Sequence, residues 1–350
     1  TVPFIGEVYM GHLRYSTTGR SGMEYTHPFL RRNNWRSRAL MLCGNFNMTN
    51  VDDIFAKIVE TGQHPRIYSD TVLLLEQVGN ALDKENHRLY RQYRDIMRDP
   101  ALASKIEDEL DMGRVLEASA DIWDGGYAIC GTTGSGSSFV LRDPCGIRPA
   151  FYYADDEIVV VASERPVIQT VFNVARADVH ELEPGSAMLI DKKGDYTIRR
   201  ILPQRENKRC SFERIYFSRG SDADIYRERK KLGANIAAEL MSMVGGSFES
   251  TVFSFIPNTA EVAFLGMVEE QASRQGAQGG DKPSVGEGCA FGRCARLDSQ
   301  AQGACRKNCH KGHQAAHVYS RRHFEKRLGY PRVRRYIRLH TQRPGHVGGY

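Results

Sequence analysis

Polar and hydrophobic positions along residues 1–270 follow two periods that alternate along the chain. Apolar residues spaced three and four apart predict a helix over 51–59, capped by Asn50, and a second helix from Ser69. Residues 83–122 are charged but keep the helical period, so they predict a two-helix segment on the domain surface. These segments supply the helical layers of the predicted fold.

Strand-like alternation separates these helices. Short apolar runs predict strands at 7–10 and 39–42, and a period of two predicts an antiparallel meander over 126–161. A helix opening near Glu164 is expected next, with two further strands ending near Ile201. Together these blocks predict an α+β fold in which sheets are stacked between helix layers.

The pattern restarts after a polar linker at residues 204–208. A strand at 214–217, a helix at 225–243, a strand at 251–256 and a helix from Thr259 are expected. This order is typical of the opening of a parallel α/β domain. The sequence therefore predicts one domain at residues 1–203 and a second, partial one at residues 204–270.

Residues 271–350 have a different composition. They hold twelve of the 33 glycines, six of the eleven histidines, and sixteen basic against four acidic residues, with no sustained apolar period. We interpret this basic tail as disordered or as the product of an out-of-frame reading. Its Cys and His spacing matches no zinc finger, so no metal site is predicted there. Its charge lacks a groove-reading or aromatic pattern, so no nucleic-acid partner is predicted either.

The whole-chain composition narrows the class of protein. Of the 350 residues, 41% are hydrophobic and 26% are charged, and no run of eighteen apolar residues is present. These values predict a globular protein of about two domains without a transmembrane helix. No secretory signal is visible, and Cys43, Cys130, Cys145 and Cys210 lack disulfide-like spacing. A cytoplasmic location with reduced thiols is expected.

One stretch, residues 11–19 (GHLRYSTTG), has the composition of a small-anion receptor. Arg14 offers a planar fork for a carboxylate, and the Ser and Thr hydroxyls and the amides near Gly19 can satisfy the remaining lone pairs. The alternative is an ordinary polar loop after a strand.

Four more motifs follow in order: residues 42–50 (LCGNFNMTN), 68–71 (YSDT), 124–128 (DGGYA) and 141–149 (LRDPCGIRP). The set resembles the glutaminase domain of class II glutamine amidotransferases and, within them, the amidophosphoribosyltransferase family. The resemblance runs from about Gly11 to about Glu269. It implies an αββα four-layer N-terminal-nucleophile domain followed by the start of a phosphoribosyltransferase-type domain. It also implies glutamine hydrolysis with ammonia transfer to phosphoribosyl pyrophosphate, the first step of purine synthesis, and a homo-oligomer.

By motif match the resemblance implies a glutamine site. Arg14 would pair with the α-carboxylate, Thr17 would hydrogen-bond it, and Asp70 would take the α-ammonium. The side-chain amide of Asn45 would stabilise the oxyanion, although Phe46 stands where the family has a glycine. A surface ion pair for Arg14 and a helix N-cap for Asp70 or Ser69 are the alternatives.

The chain also departs from the family pattern. The family nucleophile is an N-terminal cysteine, whereas this chain begins with Thr1, so truncation and loss of the first strand are expected. Magnesium is expected for the intact family enzyme only, because its phosphate-binding loop is not found and its usual serine is Ala260. Cys210 matches an iron–sulfur ligand of some members, but a plain thiol is expected here. These departures predict a fragment that is inactive in both half-reactions.

Two other functions remain open from the sequence. Another class II enzyme, such as glucosamine-6-phosphate synthase, is disfavoured because it continues into sugar-isomerase domains rather than a block like residues 212–220. A non-catalytic glutamine-binding scaffold would keep the substrate contacts without the nucleophile.

Overall fold

A computed structural model describes residues 6–13, 25–65, 67–243, 253–256 and 259–278. The chain divides into two compact units, Thr1–Ile225 and Tyr226–Tyr350. The strands are β1 (Phe29–Arg31), β2 (Leu40–Met48), β3 (Gly125–Thr133), β4 (Ser138–Arg142), β5 (Phe151–Ala154), β6 (Val159–Ala162), β7 (His180–Glu181), β8 (Ser186–Ile190) and β9 (Tyr196–Arg200). The helices are α1 (Val51–Glu60), α2 (Asp70–Tyr93), α3 (Ala101–Glu109), α4 (Met112–Ala120), α5 (Arg165–Phe172), α6 (Ala223–Met243) and α7 (Glu261–Gln278).

Two antiparallel sheets form the centre of the first unit. The larger sheet has the order β1-β2-β3-β4-β8-β9 and the smaller has the order β6-β5-β7. Strands β2 and β3 pair along their whole length, from Leu40 opposite Thr133 to Met48 opposite Gly125. The predicted α+β class is confirmed, with helices packed against antiparallel sheets.

The alternation of side chains along β2 separates two hydrophobic cores. Leu40, Leu42 and Met48 lie in a core shared with α1, α2 and α4. Asn45 pairs with Ala128, which belongs to a second core formed with the smaller sheet. The side chain of Asn45 therefore lies on the face of the larger sheet that faces the smaller one.

Helix α5 lies against the smaller sheet. Tyr152 packs in the core between the sheets, so its neighbour Phe151 lies on the opposite face. The guanidinium of Arg165, the first residue of α5, stands 4.8 Å from the centroid of the Phe151 ring. This contact places the start of α5 on the outer face of the smaller sheet.

Two of the predicted local elements differ in the structure. Residues 7–10 form no strand. The segment 83–122 is not a two-helix surface segment: α2 continues to Tyr93, α3 and α4 follow, and Val115 and Leu116 of α4 are buried in the main core. The many charged residues on one side of these helices led to the prediction of a surface segment, although the other side packs against the core.

The segment after the linker also differs from its prediction. Residues Glu213–Phe217 form a helical turn of the π type rather than a strand. The rings of Phe212 and Tyr216 stack 5.2 Å apart, and residues four positions apart meet in this way only when the backbone is helical. Residues 253–256 form no strand, whereas the helices expected at 225–243 and from Thr259 are confirmed as α6 and α7.

In the second unit, α6 and α7 approach each other closely through two glycines. A Cβ atom on Gly233 would collide with the carbonyl of Ala263, and one on Gly266 would collide with the carbonyl of Lys230. Lys230 also forms an ion pair of 2.6 Å with Glu269. Residues 271–278 complete α7, and the rest of the predicted basic tail lies outside the described residues. No helix in the described ranges is long and apolar enough to cross a membrane.

Candidate active site

Asn45, Glu213 and Arg148 form a cluster of an amide, a carboxylate and a guanidinium. The Nδ2 atom of Asn45 donates to Oε1 of Glu213 at 2.9 Å. The same oxygen is in an ion pair with the guanidinium of Arg148. Glu213 is only 7% exposed, so its carboxylate is stabilised by the Arg148 ion pair and the Asn45 hydrogen bond rather than by bulk water. The cluster is a polar site built from three distant parts of the chain.

The loop after β4 fixes the backbone of Arg148. Asp143 is fully buried and accepts backbone N–H bonds from Cys145 at 3.0 Å, Ile147 at 2.9 Å and Arg148 at 3.0 Å. Gly146 has φ = 63°, a left-handed conformation that suits glycine. The loop is therefore closed around its own carboxylate.

Arg142, the last residue of β4, hydrogen-bonds to the backbone of the same loop. It is 2% exposed and donates to the carbonyls of Arg148 at 2.7 Å and Gly146 at 3.1 Å. Burial lowers the pKa of Arg142, and the ion pair with Glu181 at 2.9 Å opposes that effect. Both charged residues of the RDP motif, Arg142 and Asp143, thus serve the loop structure.

Asp70 is the first residue of α2. The N-cap is Ser69, whose Oγ accepts from the backbone N–H of Val72 at 3.4 Å. The Oδ1 atom of Asp70 accepts from the backbone N–H of Thr71 at 2.8 Å. The sequence left open an N-cap role for Asp70 or Ser69, and the structure gives that role to Ser69. Asp70 adds negative charge at the N-terminus of the helix.

His27 connects the start of α2 with the segment of β2 that carries Asn45. The backbone N–H of Gly44 donates to Nδ1 of His27 at 3.3 Å, so the proton of the neutral ring is on Nε2. Nε2 lies 3.1 Å from Oγ1 of Thr71, to which it donates. The His27 ring also stacks on Phe46 with centroids 5.6 Å apart. The structure thereby ties the segment around Asp70 to the segment around Asn45.

The structure accommodates Phe46 without the backbone freedom of glycine. Phe46 lies within β2 opposite Tyr127, and the described non-glycine residue with positive φ is Asn173. Arg14 and Thr17, the other two predicted glutamine contacts, lie outside the described residues.

The predicted reduced cysteines include one pair of neighbours that the sequence did not reveal. Cys43 and Cys130 face each other across β2 and β3, and the described cysteines are free thiols. A hydrogen bond between them lowers the pKa of Cys43 and raises the pKa of Cys130. Cys210 is a free thiol whose backbone N–H donates to the carbonyl of Ile147.

A cavity of about 300 Å³ lies beside the loop after β4. Its lining includes Trp123, Asp124, Ile147 and the linker residues Arg205 and Lys208, but neither Asn45 nor Asp70. The cavity therefore belongs to the linker side of the unit.

Comparison with known proteins finds one family model that matches part of the chain. Residues 106–212 match the family model for glutamine amidotransferases of class II. This part of the chain resembles a class II glutamine amidotransferase domain. The matched residues of this domain include the 142–148 loop and end one position before Glu213.

Matches over a longer part of the chain come from amidophosphoribosyltransferases. The protein from Bacillus subtilis is 28% identical over 75% of this chain and 48% of its own length, and the one from Pseudomonas aeruginosa is 25% identical over 78% and 51%. A solved B. subtilis glutamine phosphoribosylpyrophosphate amidotransferase, complexed with ADP and GMP, shares the fold with a TM-score of 0.51 at 24% identity, over 74% of this chain and 49% of that one. The chain spans about half the length of the curated relatives it matches.

Sequence reasoning about the amidotransferase domain missed three residues of the site. Arg148 was within a quoted motif but had no assigned partner, and His27 carried no local signal. Glu213 is 168 residues from Asn45 along the chain, so no sequence period could join them.

Proposed function

We propose that this chain is the glutamine-binding part of an amidophosphoribosyltransferase-type enzyme. In this function glutamine would be hydrolysed and its ammonia passed to phosphoribosyl pyrophosphate. The observation that carries the proposal is the Asn45 amide, held by Glu213 on a strand that His27 ties to the start of α2 and Asp70. By chemical type, the Asn45 amide is a donor for the carboxamide of glutamine, and the Asp70 carboxylate is an acceptor for its α-ammonium.

The order of the helix and sheet layers supports a four-layer fold for the first domain. Helices α1, α2 and α4 pack on one face of the larger sheet, the smaller sheet packs on the other, and α5 begins on the outer face of the smaller sheet. This order supports the proposal of an αββα N-terminal-nucleophile domain. We assign residues 1–203 to that domain and residues 204–270 to the start of a phosphoribosyltransferase-type domain.

Each described residue has a chemical role in this proposal. The Asn45 amide would donate to the side-chain oxygen of glutamine, where negative charge develops during attack on the carboxamide carbon. Asp70 would accept from the α-ammonium, and Arg14 and Thr17 would hold the α-carboxylate. The attacking group in the family is an N-terminal cysteine, and we assign no described residue to that role.

The described residues do not fit the magnesium site of the family. Ala260 offers a methyl group where a hydroxyl would be needed, and no group of three His, Cys, Asp or Glu residues in the described ranges could hold a metal ion. No step of the proposed reaction is therefore assigned to a metal in this chain. A cytoplasmic location and a homo-oligomer are part of the proposal, although an Arabidopsis thaliana relative is named as chloroplastic.

Glutamine binding by calorimetry tests the proposal. Asp70→Asn should weaken binding by about 10- to 100-fold, because a hydrogen bond between charged groups contributes about 1.5–3 kcal/mol. Asp53→Asn is the matched control, since Asp53 is an exposed acid in the first turn of α1, and it should bind as the parent does. A parent chain that does not bind glutamine, or an Asp70→Asn variant that binds equally well, would contradict the proposal.

A further inference from the structure

The carboxylate of Glu213 is placed where it can decide which end of the Asn45 amide faces the substrate. It lies in the helical turn Glu213–Phe217, after the linker, and reaches back to β2 in the larger sheet. A buried carboxylate is costly unless it is paired, and Glu213 has Arg148 as its ion-pair partner. Asn45 is thus the neutral neighbour of a charge that is already compensated.

We propose that Glu213 is a positioning residue that orients the Asn45 amide for the glutamine carboxamide. This inference rests on the proposed function. An ionised carboxylate only accepts hydrogen bonds, whereas an amide has one donating and one accepting end. The NH2 end of Asn45 must therefore face Glu213, because the flipped amide would place two acceptors in contact.

This choice leaves one N–H of Asn45 for the substrate. The Nδ2 atom carries two hydrogens in the amide plane, and Glu213 accepts one of them. The other is available to the side-chain oxygen of glutamine, which becomes the oxyanion. A flipped amide would present its own oxygen to that side and repel the developing charge.

The position of Glu213 depends in turn on the loop after β4. Arg148 belongs to the loop that Asp143 closes with three backbone hydrogen bonds. The ion pair between Arg148 and Glu213 holds the turn after the linker against this loop. The loop therefore holds Arg148, Arg148 holds Glu213, and Glu213 holds the amide of Asn45. The orientation of the Asn45 N–H donors thus depends on a segment outside β2.

The binding of two ligands distinguishes this positioning role from a general effect on folding. L-Glutamine and L-norvaline share the amino-acid end, but norvaline lacks the carboxamide that Asn45 would contact. Glu213→Ala should weaken glutamine binding by about tenfold, because the variant loses the effect of about one hydrogen bond. Norvaline binding should be unchanged, because norvaline has no carboxamide. Asn45→Ala should show the same pattern, and the double variant should lose no more than either single variant.

Glu213→Gln keeps the side-chain volume and is the second variant, should Glu213→Ala fail to fold. Its amide can still accept from Asn45 but no longer excludes the flipped orientation, so about a two- to threefold loss is expected for glutamine alone. Asp222→Ala is the matched control, because Asp222 is also buried and lies 3.7 Å from its partner Arg165, and it should change neither ligand selectively.

The outcomes are distinguishable. Equal weakening of both ligands by the Glu213 variants, or unchanged glutamine binding, would overturn the positioning role and leave the proposed function standing. A parent chain that binds neither ligand would overturn the proposed function itself.

Discussion

Replacing Asp143 with alanine is expected to lower the free energy of unfolding of the first unit by at least about 3 kcal/mol. The carboxylate is fully buried and accepts three backbone N–H groups of its own loop. A hydrogen bond to a charged group contributes about 1.5–3 kcal/mol, and the substitution removes three of them. Water entering the space would recover only part of this loss.

Asp191 provides the matched control for that substitution. Its carboxylate also accepts two backbone N–H groups, from Lys193 at 2.8 Å and Asp195 at 3.0 Å, but it is exposed in the turn between β8 and β9. Water can replace the lost acceptor there, so Asp191→Ala should cost less than about 1 kcal/mol.

Urea unfolding followed by tryptophan fluorescence measures both variants. The two tryptophans of the chain, Trp35 and Trp123, lie in the first unit, so the signal reports on that unit. Equal midpoints for Asp143→Ala and Asp191→Ala would show that the loop is not held by the buried carboxylate.

Local patterns were enough to predict several elements of this unit. The helical period found α1, and Ser69 was placed at the start of α2, where it accepts from Val72. Asn50 is the N-cap residue of α1, but the predicted side-chain cap is wrong. Its amide instead donates to the carbonyl of Ile122, at 2.8 Å, and accepts from the backbone of Asp124. A local rule identified the boundary, and a distant loop decided the side-chain contact.

Contacts that only the folded chain reveals accompany the other differences. The β-branched and aromatic run at 215–217 favours a strand by propensity, but ring stacking between Phe212 and Tyr216 accompanies a helical turn. The same turn carries Glu213 to Asn45. Motif resemblance could assign roles to Asn45 and Asp70, which remain proposals, because each lies in a short recognisable motif. It could not supply their neighbours, because those neighbours are joined only by the folded chain.

Replacing Gly233 with alanine in α6 is expected to destabilise the α6–α7 pair by about 3 kcal/mol. A destabilising effect, rather than a stabilising one, would show that the two helix backbones approach closely at this position. In an isolated helix the same change would stabilise by about 1 kcal/mol, because alanine loses less backbone entropy than glycine. Here the added Cβ would meet the backbone carbonyl of Ala263, which cannot rotate away as a side chain could. The helices must then separate, and overpacking of this kind costs about 1–3 kcal/mol or more.

Separation of the two helices would also break polar contacts across them. Gln271 donates through Nε2 to the carbonyl of Ala237 at 2.5 Å, and the side chain of Gln271 is buried. Hydrogen exchange followed by mass spectrometry should show amides of α6 and α7 exchanging about 100-fold faster in Gly233→Ala than in the parent. Asn235→Ala, at an exposed position of α6, should slow exchange slightly because it only raises helix propensity. Slower exchange in both variants would mean that the two backbones do not approach closely at Gly233.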